Sequence, residues 1–277
     1  MTNAPTTAGQ SSAPSTTFAI IAALSFCHML NDMMQSLLAG IYPILKEDYA
    51  LDFGQIGLMT LTFQVTASLL QPLVGIYTDK HPQPYSLSVG MGSTFAGLIL
   101  LANTQRFEWM LVSCALIGLG SAVFHPESSR IARLASGGRL GLAQSLFQVG
   151  GNFGTALGPL LAAFIVLPNG QKSVAWFSAA ALLAMLVLWQ VGSWYSGKRK
   201  ATARHAVVHA GTALPRSRVV LAIAVLGLLV FSKYIYMASL TNYYTFYLMH
   251  KFDVSIRDSQ LLLFLFLGAV AAGTVIG

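Results

Sequence analysis

Apolar residues run along this chain in stretches of about twenty, broken by short polar segments, at roughly 18–45, 53–77, 85–103, 107–131, 139–166, 172–195, 217–249 and 258–277. Ten-residue alternation, the mark of a spanning barrel, is absent, so the runs predict helices. The pattern therefore predicts an all-α integral membrane protein of about eight spans. Residues 1–17, MTNAPTTAGQSSAPSTT, are small, polar and uncharged, and lack the basic start of a signal peptide. They predict a disordered tail. Residues 196–216, SGKRKATARHAVVHAGTALPR, are a basic linker that divides six spans (18–195) from two (217–277). The chain stops inside LLLFLFLGAVAAGTVIG, with no flanking charge to end a helix, and this predicts a truncated second half.

Composition agrees with the pattern. Of 277 residues, 55% are hydrophobic and 9% charged, with mean hydropathy +0.65; a soluble domain carries about 25% charged residues. The formal charge of +7 admits a nucleic-acid partner, but its distribution follows membrane topology instead. With a cytoplasmic N-terminus, the inner loops hold Lys80, Arg130, Arg133, Arg139 and the basic linker, and the outer loops only Lys46, Arg106, Lys172, Lys251 and Arg257. Cys27 and Cys114 both fall in apolar runs and indicate no disulfide. The expectation is a multi-pass monomer with lipid as its surroundings, and with no nucleic acid, cofactor or metal.

Candidate chemistry begins in the first run, which reads HMLNDMMQ at its centre. His28, Asn31, Asp32 and Gln35 recur at i, i+3, i+4 and i+7, one stripe about 100° wide on an oily helix. An aspartate at a helix centre costs about 2.5–3.5 kcal/mol on insertion scales, so the stripe should face a bundle interior or a watery cavity. Asp32 is a candidate proton carrier, with His28 holding it or sharing the proton; a purely structural network is the alternative. A metal would need more than two ligands at i and i+4. The second run carries Thr60, Gln64, Ser68 and Gln71 along one side, and the fifth carries Gln144, Gln148 and Asn152. Singly such amides are interhelical glue; together the three stripes predict a shared polar cavity. The seventh run offers Lys233 with Tyr236, Tyr243, Tyr244 and Tyr247. Lys233 and Tyr236 fit the cavity, with Lys233 near Asp32 or an anionic substrate, while the later tyrosines also fit an aromatic belt.

Three motifs carry a family resemblance. GGNFGTALGPLLAA spaces Gly150, Gly154 and Gly158 four residues apart before Pro159 and resembles the antiporter signature of major facilitator exporters, with Ala162 and Ala163 replacing its final glycines. GIYTDK supplies Gly75, Asp79 and Lys80 of the superfamily's loop signature, although Pro82, Gln83 and Pro84 stand where a later glycine and basic residues are usual. With HMLNDMMQ and FHPESSRIARLASGGRLGLAQSLFQVGG, these resemble the fosmidomycin-resistance branch of the superfamily from Phe18 to Gly277. The resemblance implies twelve helices in two six-helix halves, a bacterial inner-membrane location and proton-driven antiport of a small anionic drug, fosmidomycin. It also implies that Asp79 latches an inner gate. The superfamily's span-4 arginine would fall at Cys114, so Glu127 with Arg130 offers the nearest charge pair, or else a solvated surface pair. Two alternatives remain from the residues themselves. One is uptake or flipping of an endogenous anion or lipid; the other is a membrane-embedded lipid enzyme built on His125 and Glu127.

Overall fold

The computed structural model describes residues 16–202 and 215–276, and all its regular structure is helical. Most of the predicted tail (1–15) and the middle of the predicted linker (203–214) lie outside the described residues. Eleven α-helices follow in order: α1 Phe18–Gly40, α2 Tyr42–Asp48, α3 Phe53–Gln64, α4 Gln71–Lys80, α5 Ser86–Asn103, α6 Phe107–Ala135, α7 Leu140–Leu161, α8 Leu167–Asn169, α9 Ser178–Thr202, α10 Arg216–Phe252 and α11 Ile256–Ile276. A π turn, Val65–Leu69, joins α3 to α4, a second, Ala162–Val166, joins α7 to α8, and a 3₁₀ stretch, Gln171–Phe177, leads into α9.

Seven continuous helical runs are long and apolar enough to cross a membrane: Phe53–Lys80, Ser86–Asn103, Phe107–Ala135, Leu140–Asn169, Gln171–Lys198, Arg216–Phe252 and Ile256–Gly273. The eighth long helix, α1, has 23 residues, about 35 Å at 1.5 Å per residue. It carries the polar stripe, and more than half of its residues are buried. Leu24, Cys27, Met34, Leu37 and Leu38 are all buried, in one core with Leu98 of α5, Ile117 and Phe124 of α6 and Leu188 of α9. By contrast Leu61, Leu69, Leu73 and Ile76 of the second span, and Val220 to Tyr236 of α10, expose large apolar side chains. A polypeptide leaves such surface open only to lipid or to a further protein layer.

Local chemistry fixes where helices begin and end. Asp52 opens α3 with a capping box: its carboxylate accepts from Gln55 N at 2.7 Å, and Gln55 Oε1 accepts from Asp52 N at 2.9 Å. Gly170, at φ +72°, turns the chain after α8, and Asp253, at φ +52°, ends α10 in the left-handed region. Helix α9 continues past the expected boundary at 195 because Lys, Arg and Ala after Gly197 are good helix formers. Helix α6 runs through Pro126 and ends at Ala135, a little past the expected limit at 131.

The closest packing is between α1 and α7. Gly150, Gly154 and Gly158 lie against the α1 backbone, where a Cβ would strike the carbonyls of Ser25 and Met29 and, at 2.5 Å, the Leu37 nitrogen. Bare faces of this kind let two helices approach until their backbones touch. Cross-links reinforce the seam: Ser25 Oγ donates to Leu146 O at 2.7 Å and Ser36 Oγ to Thr155 O at 2.5 Å. Helix α11 packs on the other side of α7, and Gln260 Nε2 donates to Gly40 O at 2.8 Å.

Candidate functional site: a polar cavity around Asp32

The seam turns the α1 stripe inward. His28, Asp32 and Gln35 open onto a cavity of about 770 Å³ together with Gln64, Ser68 and Gln71 of the second span, Ser121, His125 and Ser129 of α6, Gln144, Gln148 and Asn152 of α7, and Lys233, Tyr234, Thr241 and Asn242 of α10. The three amide stripes expected to share a cavity therefore do line one.

At its wall, Asp32 is met by four side chains. Its Oδ2 lies 3.2 Å from His28 Nε2. Its Oδ1 accepts from Asn31 Nδ2 at 2.9 Å and Gln35 Nε2 at 3.4 Å and lies 3.8 Å from His125 Nε2. Ser121 Oγ, 3.2 Å from Gln35 Oε1, fixes the Gln35 amide that faces Asp32. His28 is 2% exposed, stacked on Phe147 at 4.0 Å between ring centres, with Phe124 beyond it. Its Nδ1 lies 2.8 Å from Phe147 O. A carbonyl can only accept, so Nδ1 carries hydrogen, and the neutral ring then presents a lone pair at Nε2. Facing a carboxylate oxygen, that contact is attractive only with a proton between the two atoms.

His125 was expected only in the lipid-enzyme alternative, beside Glu127. The signal was present: Ser121, His125 and Ser129 repeat every four residues, a polar stripe like those on α1 and α7. Donor atoms of His28, Asp32 and His125 lie within 4.8 Å of one another.

Other expected residues fall off the cavity. Asn31 is fully buried and serves Asp32 from behind. Tyr236 is 61% exposed, and Tyr243 lines a separate cleft with Phe53, Phe246, Tyr247, His250 and Lys251. The reason is helical phase. The cavity side of α10 runs Val230, Lys233, Met237 and Thr241, and Tyr236 and Tyr243, seven residues apart, share the opposite side. Lys233 is on the cavity but does not pair with Asp32. The imidazoles occupy that position, and Lys233 Nζ sits 5.7 Å from the Tyr234 ring.

A second polar cluster lies at the end of the bundle where α4 and α6 finish. Glu127 is 1% exposed and takes two bonds from Arg130 Nη2, at 2.8 and 2.6 Å, so it is no solvated surface pair. Arg130 Nη1 also donates to Thr78 O at 2.7 Å and reaches Asp79 Oδ1 at 3.4 Å. Pro126 lies below Gly75, 3.9 Å from where a Cβ would stand. Lys80 forms no ion pair with any described residue.

A family model described as Major Facilitator Superfamily matches residues 24–277. The chain is 58% identical over 262 residues to the fosmidomycin resistance protein of Escherichia coli K12, matching 95% of this chain and 64% of the relative. It is 40% identical over 272 residues to an uncharacterized MFS-type transporter, YfnC, of Bacillus subtilis 168, matching 95% of this chain and 65% of that protein. The chain thus spans slightly under two thirds of either relative. Among solved structures, a bacterial homolog of the human lysosomal transporter Spinster, inward-facing and unoccupied, superposes with a TM-score of 0.66 at 13% identity, over 91% of this chain and 59% of that one. That likeness is one of fold.

Proposed function

This chain belongs to the major facilitator superfamily, and on that premise we propose that it carries the proton site and much of the substrate cavity of a proton-coupled exporter of small organic anions, fosmidomycin among them. The superfamily is one of transporters, which argues against the lipid-enzyme reading. The observation that carries the proposal is the carboxylate of Asp32, set in a cavity wall with its Oδ2 3.2 Å from His28 Nε2, a contact across which the two can share a proton. Such a pair can take up a proton from one side of a membrane and give it up on the other without leaving a bare charge in a low-dielectric interior. The amides of Gln35, Gln64, Gln148 and Asn152 supply neutral donors for an anion's oxygens, and Lys233 supplies the cationic counterpart.

In this reading, proton and substrate favour opposite openings of the cavity, so that release of one accompanies binding of the other. Arg130 ties Glu127 to Thr78 and Asp79 at the gated end, and Gly75, Asp79 and Lys80 form the loop that must part there. Gly150, Gly154, Gly158 and Pro159 hold α7 to α1. The protein acts as a monomer in the bacterial inner membrane with its N-terminus in the cytoplasm, as the basic loops indicate.

The test is fosmidomycin susceptibility of a sensitive bacterium expressing the gene that encodes this chain, with Asp32→Asn at matched expression. Wild type should raise the inhibitory concentration and the variant should return it to the vector level. A well-expressed wild type that gives no resistance would refute export of this drug. Resistance undiminished by Asp32→Asn would refute the proton role.

A further inference from the structure

His28 and Asp32 stand one turn apart on α1, and His125 reaches the same point from α6. All three are metal-ligating residue types, and one donor atom from each lies within 4.8 Å of the others. Two ligands at i and i+4 of a helix hold a metal only when a third comes from elsewhere in the fold, and here α6 supplies it. The donor atoms are the ones a metal needs. Nδ1 of His28 is engaged by Phe147 O at 2.8 Å, which leaves the lone pair at Nε2, 3.2 Å from Asp32 Oδ2. A backbone carbonyl on the far ring nitrogen is the usual outer support of a metal-binding imidazole. Bonds of about 2.0–2.1 Å to two atoms that far apart meet at roughly 100°, close to the tetrahedral angle. Asn31 Nδ2, 2.9 Å from Asp32 Oδ1, steadies the carboxylate in the same way. Gly151 of α7 faces the pair without a side chain; a Cβ there would stand 2.5 Å from His28 Nε2 and 2.8 Å from Asp32 Oδ2.

We propose that His28, Asp32 and His125 bind a divalent transition-metal ion of the zinc class, with a cavity water as its fourth ligand. His125 is the part that moves. Donor atoms in a tetrahedral zinc site are about 3.4 Å apart, so its Nε2, 3.8 Å from Asp32 Oδ1, has only a short way to close. The side chain is 27% exposed and makes no hydrogen bond with any described residue, so closing breaks none. Its ring meets His28 only edge-on, with centres 5.2 Å apart. Two imidazoles and one carboxylate select zinc, cobalt or nickel over magnesium and calcium, which take oxygen ligands. The ion enters through the cavity, which all three residues line. The site goes beyond the exporter reading and does not depend on it. Where that reading holds, the ion takes both donor atoms across which the proton would be shared, so zinc inhibits transport.

The experiment titrates the purified whole protein, freed of any polyhistidine tag, with Co²⁺ and follows visible absorption, with Zn²⁺ displacement alongside. Wild type should develop the intense bands of four-coordinate cobalt, saturating at a single ion per chain, erased by Zn²⁺ and untouched by excess Mg²⁺. His125→Gln and Asp32→Asn should each weaken Co²⁺ binding by at least about 100-fold, the upper end of what loss of an outer partner alone costs. His125→Cys should restore binding and add a thiolate-to-cobalt charge-transfer band, which a merely structural role for His125 would not produce. Wild type without the cobalt bands, or bands that survive both His125→Gln and Asp32→Asn, would overturn the proposal. So would Mg²⁺ that competes on equal terms with Co²⁺. In proteoliposomes, Zn²⁺ at concentrations that fill the cobalt site should slow fosmidomycin exchange by wild type, and undiminished exchange would overturn the inhibition. Protein that binds cobalt through these residues yet carries no drug would refute the exporter reading and leave the metal site in place.

Discussion

Arg130 and Glu127 offer an asymmetric test of what holds the α4–α6 end of the bundle together. Glu127 is 1% exposed and Arg130 24%, and the guanidinium has two further oxygen partners while the carboxylate has only Ser86 Oγ, at 3.4 Å. Truncating Arg130 to Ala leaves a buried, nearly partnerless carboxylate, the situation that costs about 3–5 kcal/mol in buried pairs. Glu127→Gln leaves a partly hydrated guanidinium still bound to Thr78 O and near Asp79, and should cost only about 1–2 kcal/mol, the loss of charge-assisted bonding. With Glu127 already neutral, Arg130→Ala should cost less than it does in the native background. The coupling between the two sites is then the difference, about 1–3 kcal/mol. Unfolding of the purified protein in mild detergent, by a denaturant titration on all four corners of the cycle, reads these values. If Arg130→Ala is no more damaging than Glu127→Gln, the carboxylate is not enclosed as described and the reasoning fails.

Two further outcomes follow from packing. Gly154→Ala places a methyl against the Met29 carbonyl and should destabilise by about 1–3 kcal/mol, whereas Gly141→Ala near the start of the same helix meets nothing within 4 Å and should be neutral or stabilising by about 0.4–1 kcal/mol. A thermal shift assay in detergent ranks the two. Cys27 and Cys114 are both fully buried, so a maleimide should leave the folded protein unmodified and label both thiols after denaturation; mass spectrometry counts the adducts.

The spans were legible because a membrane helix must be apolar along its whole length, and their limits shifted mainly where helical ends of polar sequence, such as 196–202, carry no apolar signal. The α1 stripe was legible because four polar residues at helical spacing have no place in lipid. His125 was not, because its near polar neighbours in sequence are Glu127 and Ser128, while Asp32 lies on another helix; α6 runs on through Pro126 and delivers His125 to Asp32. Tyr236 and Tyr243 were misplaced because a long run of aromatic and aliphatic residues has no polar side to set its phase. Only packing shows that Lys233 looks one way and the tyrosines the other. The burial of Glu127 depends on Arg130 and Ser86, and the latter lies more than forty residues earlier in the chain, a separation no local pattern reports.

The glycine seam between α1 and α7 has a mechanical meaning. Helices joined backbone to backbone cannot slide without collision, so the His28–Asp32 pair on α1 and the Gln148–Asn152 amides on α7 travel as one body. Lys233, on a helix that shares little surface with them, belongs to another. Spin labels on α1 and α7 should therefore keep one fixed separation through a transport cycle, as marks on a ruler do. Labels on α1 and α10 should report two separations, and the change between them would measure the stroke.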